Sequence, residues 1–174
     1  MLLLISGGNG SGKSYVAELI ASQIARPRYY AATMIPYGEE GAARKAKHIR
    51  NRAGLNFSTV ECPFDLSQVH CNPGDLVLLE DLSNLLANGL FAAKPRFGAD
   101  EVLSQVHALK ARCAYLLIVT ISGLSGEGCD DETCAYVNEL NRLNEIFTSE
   151  ADVTIEMHNG KACVTKGEPQ WELG

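Results

Sequence analysis

"LLLISGGNGSGKSYVAEL", residues 2–19, is the stretch on which the fold turns. Its first part, "LLLIS" (2–6), is a short apolar run that stops at Gly7-Gly8, the pattern of a buried strand. Residues 13–25, "KSYVAELIASQIA", read as a helix with Val16, Leu19, Ile20 and Ile24 on one face, ended by Arg26-Pro27. Between them "GGNGSGKS" (7–14) satisfies GxxxxGK[ST] with Gly7, Gly12, Lys13 and Ser14, in the strand-to-helix setting the motif requires. Glycines let such a loop turn its N–H groups inward around phosphate oxygens, and the following helix adds its N-terminal dipole. The expectation is that Gly7, Gly8, Asn9, Gly10, Ser11, Gly12, Lys13 and Ser14 bind a nucleoside triphosphate. Lys13 then reaches the β- and γ-phosphates, and Ser14 ligates Mg²⁺. A glycine-rich turn without a ligand is the plain alternative.

The pattern continues outward from this unit. "RYYAAT" (28–33), "FSTVE" (57–61), "DLVLLE" (75–80) and "AYLLIVTI" (114–121) read as strands. Helices are expected at 39–51, 82–92, 99–112 and 131–148. "DVTIEM" and "KACVTK" flank His158-Asn159-Gly160, a two-residue hairpin turn centred on Asn-Gly. Apolar strands alternating with helices predict an α/β fold of the P-loop NTPase type (RecA-like). Its mainly parallel sheet carries helices on both faces and a C-terminal antiparallel hairpin. One nucleotide-binding domain over residues 1–174 is expected.

The formal net charge is −6 and the pI about 5.2, which argues against general nucleic-acid binding. None of the six cysteines forms a CxxC pair, so reduced thiols and no zinc site are expected. The start, "MLLLISGG", lacks the basic region of a signal peptide, and no stretch approaches the ~20 apolar residues of a membrane span. A cytoplasmic protein is expected.

Two further features carry chemistry. Glu80 and Asp81 end the "LVLLE" strand, where a P-loop fold places the carboxylate that orders Mg²⁺. Glu80 is expected as the metal-site residue with Ser14, and Asp81 as the cap of the next helix. In "AARKAKHIRNRAG" (42–54), Arg44, Lys45, Lys47, Arg50 and Arg52 surround His48 without an acid among them. Neighbouring cations keep an imidazole neutral and nucleophilic, and stabilise a phosphate under attack. His48 is either a nucleophile toward phosphorus or a surface histidine on a cationic helix.

The residues together resemble the bifunctional adenosylcobinamide kinase/adenosylcobinamide-phosphate guanylyltransferase family. The likeness rests on "GGNGSGKS", on "AAT" after the second strand, and on Glu40 and Arg44 at family spacing. His48 sits four residues after Arg44, as the family's guanylylated histidine does, and Arg52 four further on. "FSTVECP" and "LLEDLSNLLANGLF" complete a match over residues 1–92. The resemblance implies that Ala32, Thr33, Met34, Ile49, Arg50, Asn51, Arg52, Glu61 and Glu80 line nucleotide sites. It also implies catalysis by His48 and Lys13, Mg²⁺ as cofactor, and GTP and ATP as substrates beside a corrinoid (adenosylcobinamide). A homo-oligomer follows from the family too. Beyond residue 113 the match weakens. "VTISGLSG" lacks the family's Asn-Glu pair, Val137 and Glu145 replace an Arg and a Gln, and Gly10 stands where Arg is usual. The alternatives left open are a P-loop small-molecule kinase without guanylyltransferase activity and a non-catalytic GTP-binding paralogue.

Overall fold

The structure, a computed structural model, describes residues 1–173, with the side chains of Arg44, Lys47, His48 and Asn51 outside the described set. The strands are β1 (Leu2–Gly7), β2 (Arg28–Ala32), β3 (Phe57–Glu61), β4 (Leu76–Glu80), β5 (Tyr115–Ile121), β6 (Val153–His158) and β7 (Lys161–Lys166). They form a seven-stranded sheet in the order β3-β2-β4-β5-β1-β6-β7. All pairings are parallel except β6 with β7. The hairpin turn has both central residues at positive φ, Asn159 at 50° and Gly160 at 79°, as a primed two-residue turn requires. The fold expectation holds in class, sheet and terminal hairpin.

Alternate residues of each strand serve opposite faces. Leu3 and Ile5 of β1, with Leu76 and Leu78 of β4 and Leu117 and Val119 of β5, bury against α1 (Lys13–Gln23) through Val16, Ala17, Ile20 and Ala21. Leu2, Leu4, Val77, Leu79, Leu116 and Ile118 face the other way. They meet α3 (Leu82–Phe91), α4 (Ala99–Lys110) and α5 (Asp131–Glu150) through Leu85, Val102, Leu140 and Phe147. The cationic helix α2 (Gly38–Asn51) connects β2 to β3. Glu139 of α5 accepts from Ala99 N at 2.5 Å, so one helix caps the start of another where Gly98 offers no side chain.

The cysteine expectation is corrected at one pair. Cys129 and Cys134 form a disulfide, while Cys62, Cys71, Cys113 and Cys163 are free. The bridge ties the glycine-rich segment after β5 to the first turn of α5. A five-residue spacing in a loop matches no metal or redox motif, so only the folded path brings the two sulfurs together.

Candidate nucleotide site

The order of strands places the site. β1, carrying the glycine-rich loop, and β4, carrying Glu80, are separated only by β5. The loop therefore opens at the same end of the sheet as the carboxylate. Gly7 has no alternative there. Its φ is 150°, and an added Cβ would stand 2.8 Å from Met157 O, 2.9 Å from Met157 Cβ and 2.9 Å from Ser11 Oγ. Gly12 turns at φ 94° and hands the chain into α1.

Lys13 is buried and its ammonium donates to Gly8 O at 2.6 Å, across the loop's own concavity. Burial lowers its pKa, while Asp81 and Glu80 act in the opposite sense. Ser14 Oγ donates to Glu80 Oε1 at 2.7 Å, so loop and strand end meet directly. Glu80 Oε2 is buried with no hydrogen-bond partner among the described residues, and so is Ser11 Oγ. Burial first, and the Asp81 carboxylate next, push the Glu80 pKa up. A serine hydroxyl and a carboxylate with a free oxygen are the hard donors Mg²⁺ takes alongside phosphate oxygens and water, so these residues fit that ion.

Asp81 caps α3, accepting from Asn84 N and Ser83 Oγ, both at 2.6 Å. Thr33 locks the neighbouring strand end. It is fully buried, its Oγ1 accepts from Asp81 N at 2.8 Å, and it lies within hydrogen-bonding distance of Glu80 O and Asp81 O. Asn88 donates to Thr33 O at 2.7 Å and to Pro63 O at 2.8 Å, clipping the chain ends beyond β2 and β3 to α3.

A cavity of about 410 Å³ opens over this junction. Among the residues singled out in the sequence, Asn9, Gly10, Ser11, Gly12, Lys13, Ser14, Ala32, Met34, Arg52, Glu61 and Glu80 line it. Gly7 and Gly8 form the base of the loop without lining the cavity. The Thr33 side chain is taken up by the clip just described, and Ile49 and Arg50 are exposed on α2, away from the lining. The side chains of His48 and Asn51 lie outside the described residues. Arg52 is buried, stacks its guanidinium 4.1 Å from the centre of the Tyr30 ring, and donates from Nε to Thr59 Oγ1 at 3.3 Å. Lys45 pairs with Glu61 at 2.9 Å. Tyr15, Glu18, Tyr30, Lys45, Asp81, Asn84 and Ile121 complete the wall. Of these, Glu18 stands four residues after Ser14, a spacing that puts both on one helical face and was there to be read. Asn144 lies outside the wall. It holds the end of β5, donating to Ile121 O at 2.9 Å and accepting from Thr120 Oγ1 at 2.8 Å. Asn138 is exposed.

A glycine-rich loop between a strand and a helix, a lysine across it, and a serine bonded to a strand-end carboxylate define a P-loop protein of the α/β class. The chain belongs to the CobU family, described as cobinamide kinase / cobinamide phosphate guanyltransferase, whose model matches residues 3–164. That match runs past residue 113, through the divergent part of the sequence. The chain is 35% identical over 94 residues to the bifunctional adenosylcobalamin biosynthesis protein CobU of Escherichia coli K12. That alignment covers 52% of this chain and 51% of the relative. Identity to the Salmonella typhimurium LT2 protein of the same name is 33% over 95 residues, covering 53% and 51%. The chain thus spans about half the length of the curated relatives it matches. In fold it is similar to a type III secretion system ATPase of pathogenic bacteria, with a TM-score of 0.52 and 12% identity. That similarity covers 89% of this chain and 50% of the ATPase. A protein of Pyrococcus horikoshii OT3 matches at a TM-score of 0.51 and 11% identity, over 97% of this chain and 87% of that one.

Proposed function

We propose that the chain is an enzyme of cobalamin biosynthesis or cobinamide salvage. In this reading it phosphorylates adenosylcobinamide with ATP or GTP, then transfers GMP from GTP to adenosylcobinamide phosphate through a guanylyl-histidine at His48. The observation that carries the reading is one shared cavity. Its floor is Lys13, Ser14 and Glu80, and its far wall is Lys45 and Arg52. Position 48 stands three residues after Lys45 on α2, a spacing that puts the two on one helical face, and Arg52 follows just past the end of the helix.

In the kinase step the loop amides and Lys13 bind the β- and γ-phosphates and neutralise charge on the phosphoryl group in transfer. Ser14 and Glu80 would hold Mg²⁺, which would supply further charge neutralisation to the phosphates. Lys13 leaves the Gly8 carbonyl for the phosphate oxygens, a move of one side chain. In the second step a neutral His48 nitrogen attacks the α-phosphorus of GTP. A P–N bond forms, the bond to the β-phosphate oxygen breaks, and pyrophosphate leaves with the electron pair. A phosphate oxygen of adenosylcobinamide phosphate then attacks the same phosphorus, the P–N bond breaks, and the electron pair returns to the histidine. Lys45 and Arg52 supply positive charge beside that position.

A corrinoid is larger than a cavity of about 410 Å³, so a homo-oligomer whose subunit interface completes the acceptor site belongs to the reading. No helix of the described residues is long and apolar enough to cross a membrane.

The direct test is product analysis. Protein incubated with Mg²⁺, GTP and adenosylcobinamide should convert the corrinoid first to a species one phosphoryl group heavier, then to one carrying a further GMP. A corrinoid mass unchanged over many enzyme equivalents contradicts the reading. Accumulation of the phosphorylated species alone selects a kinase without guanylyltransferase activity.

A further inference from the structure

Glu18 is an acid that the proposed chemistry leaves unused. It lies on α1, one helical turn (about 5.4 Å) beyond Ser14. It is only 5% exposed, yet it lines the cavity. It makes no hydrogen bond and no ion pair with a described residue. Its side chain is packed away while its carboxyl lines the cavity without a partner among the described residues, so it is open to an incoming donor.

The groups around it are unevenly charged. Arg52, held flat on Tyr30 and tied to Thr59, supplies the positive charge across the cavity. Glu80 adds negative charge from β4, and Tyr30 presents a buried phenol from β2. Lys13 stands at the loop, Asp81 at the start of α3, and Lys45 and Glu61 pair at the rim. An incoming group that reaches Glu18 meets one acceptor carboxylate and one donor guanidinium, and that combination suits a neutral hydroxyl.

Location decides which hydroxyl. Lys13 and Ser14 mark the β/γ end of a bound triphosphate. Glu18 is one turn from that end, whereas ribose and base lie beyond the remaining phosphates. We propose that Glu18 binds the acceptor hydroxyl, its carboxylate accepting the hydroxyl's hydrogen bond and aiming the oxygen lone pair at the γ-phosphorus. The inference rests on the kinase reading above and adds the residue that selects and orients the acceptor. The step balances without another reactant. The hydroxyl oxygen bonds to the γ-phosphorus, the β,γ-bridging bond breaks with its electron pair leaving on the nucleoside diphosphate, and the hydroxyl proton passes to the phosphate of the product. Orientation of this kind acts on the transition state and on acceptor binding, not on nucleotide binding.

The test compares the parent with Glu18→Gln and Glu18→Asp, using Mg-GTP and adenosylcobinamide. Phosphorylation kinetics are read beside the Kd of a fluorescent GTP analogue and the melting temperature. Glu18→Gln is near-isosteric with the acid and cannot ionise, so it should fold. The expected result is a fall of about tenfold or more in kcat/KM for the corrinoid. Nucleotide Kd should stay within about twofold, and Glu18→Asp should recover part of the loss. Parallel shifts in nucleotide Kd and melting temperature, with no recovery in Glu18→Asp, would instead assign Glu18 a structural role and overturn the inference. Variants matching an active parent overturn it alone. A parent that forms no phosphorylated corrinoid overturns the kinase reading and this assignment together.

Discussion

Lys13 illustrates how a side chain waits for its substrate. Its side chain is buried, its pKa is lowered by burial, and one of its three N–H groups is given to Gly8 O at 2.6 Å. Lys13→Ala removes the loop lysine that the proposed function sets against the phosphates. Turnover measured with saturating Mg-GTP should drop about 100-fold or more, and parent-like turnover would contradict the assignment. Glu18 makes a prediction about stability. Burial pushes its pKa up to about 7, above the ordinary carboxylate range. The native state therefore prefers the protonated acid. Its contribution is complete at pH values below the ordinary range and is lost as pH rises through about 7. Glu18→Gln cannot ionise, so between pH 4 and pH 8 the parent should lose on the order of 1–3 kcal/mol relative to the variant. Urea unfolding at the two pH values measures this, and equal losses in both proteins would show that Glu18 is hydrated. Cysteine alkylation is a third check. Unfolded, unreduced protein should take up four labels, at Cys62, Cys71, Cys113 and Cys163, and reduction should expose Cys129 and Cys134.

Packing between elements sets what each residue can do. α3 passes so close to the segment before α4 that a Cβ on Gly89 would stand 2.3 Å from the Phe97 ring and 2.7 Å from Phe97 O. Because one of those atoms is backbone, the chain must move. Gly89→Ala should destabilise the protein by about 1–3 kcal/mol in thermal or urea unfolding, with the nucleotide loop unaffected. Neutral behaviour would mean that the segment at 92–98 yields freely. Elements were largely legible from sequence. "LLLIS", "LVLLE" and "YLLIVTI" are long apolar runs, and a strand buried on both faces has few other spellings. The phosphate loop was legible because its parts are contiguous. The rest of the site was not, because Tyr30, Asn84 and Ile121 come from three elements and meet only across the sheet's end. Thr33 shows the opposite limit. It stands next to Ala32 and Met34 of the lining, but its hydroxyl is consumed by the β4–α3 junction. That competition is invisible until the chain is folded.

At the scale of the whole molecule, the strand order brings the phosphate loop, Glu80 and the cationic segment to one cavity. With β5 between β1 and β4, the loop and Glu80 face each other. α2, crossing from β2 to β3, delivers the cationic segment to the opposite wall through Lys45 and Arg52. In the proposed function, phosphoryl transfer uses the loop and Glu80, and guanylylation uses the cationic segment. The claim that one small α/β chain carries both rests most heavily on His48. The measurement that tests it uses GTP labelled at the α-phosphate or at the γ-phosphate, followed by denaturation and counting of protein-bound label. The account predicts label from the α-position only, stable in alkali and lost in acid as a P–N bond is. It should be absent from His48→Asn and unchanged when His70, His107 or His158 is replaced. Label retained in full by His48→Asn, or transferred equally from the γ-position, would contradict it.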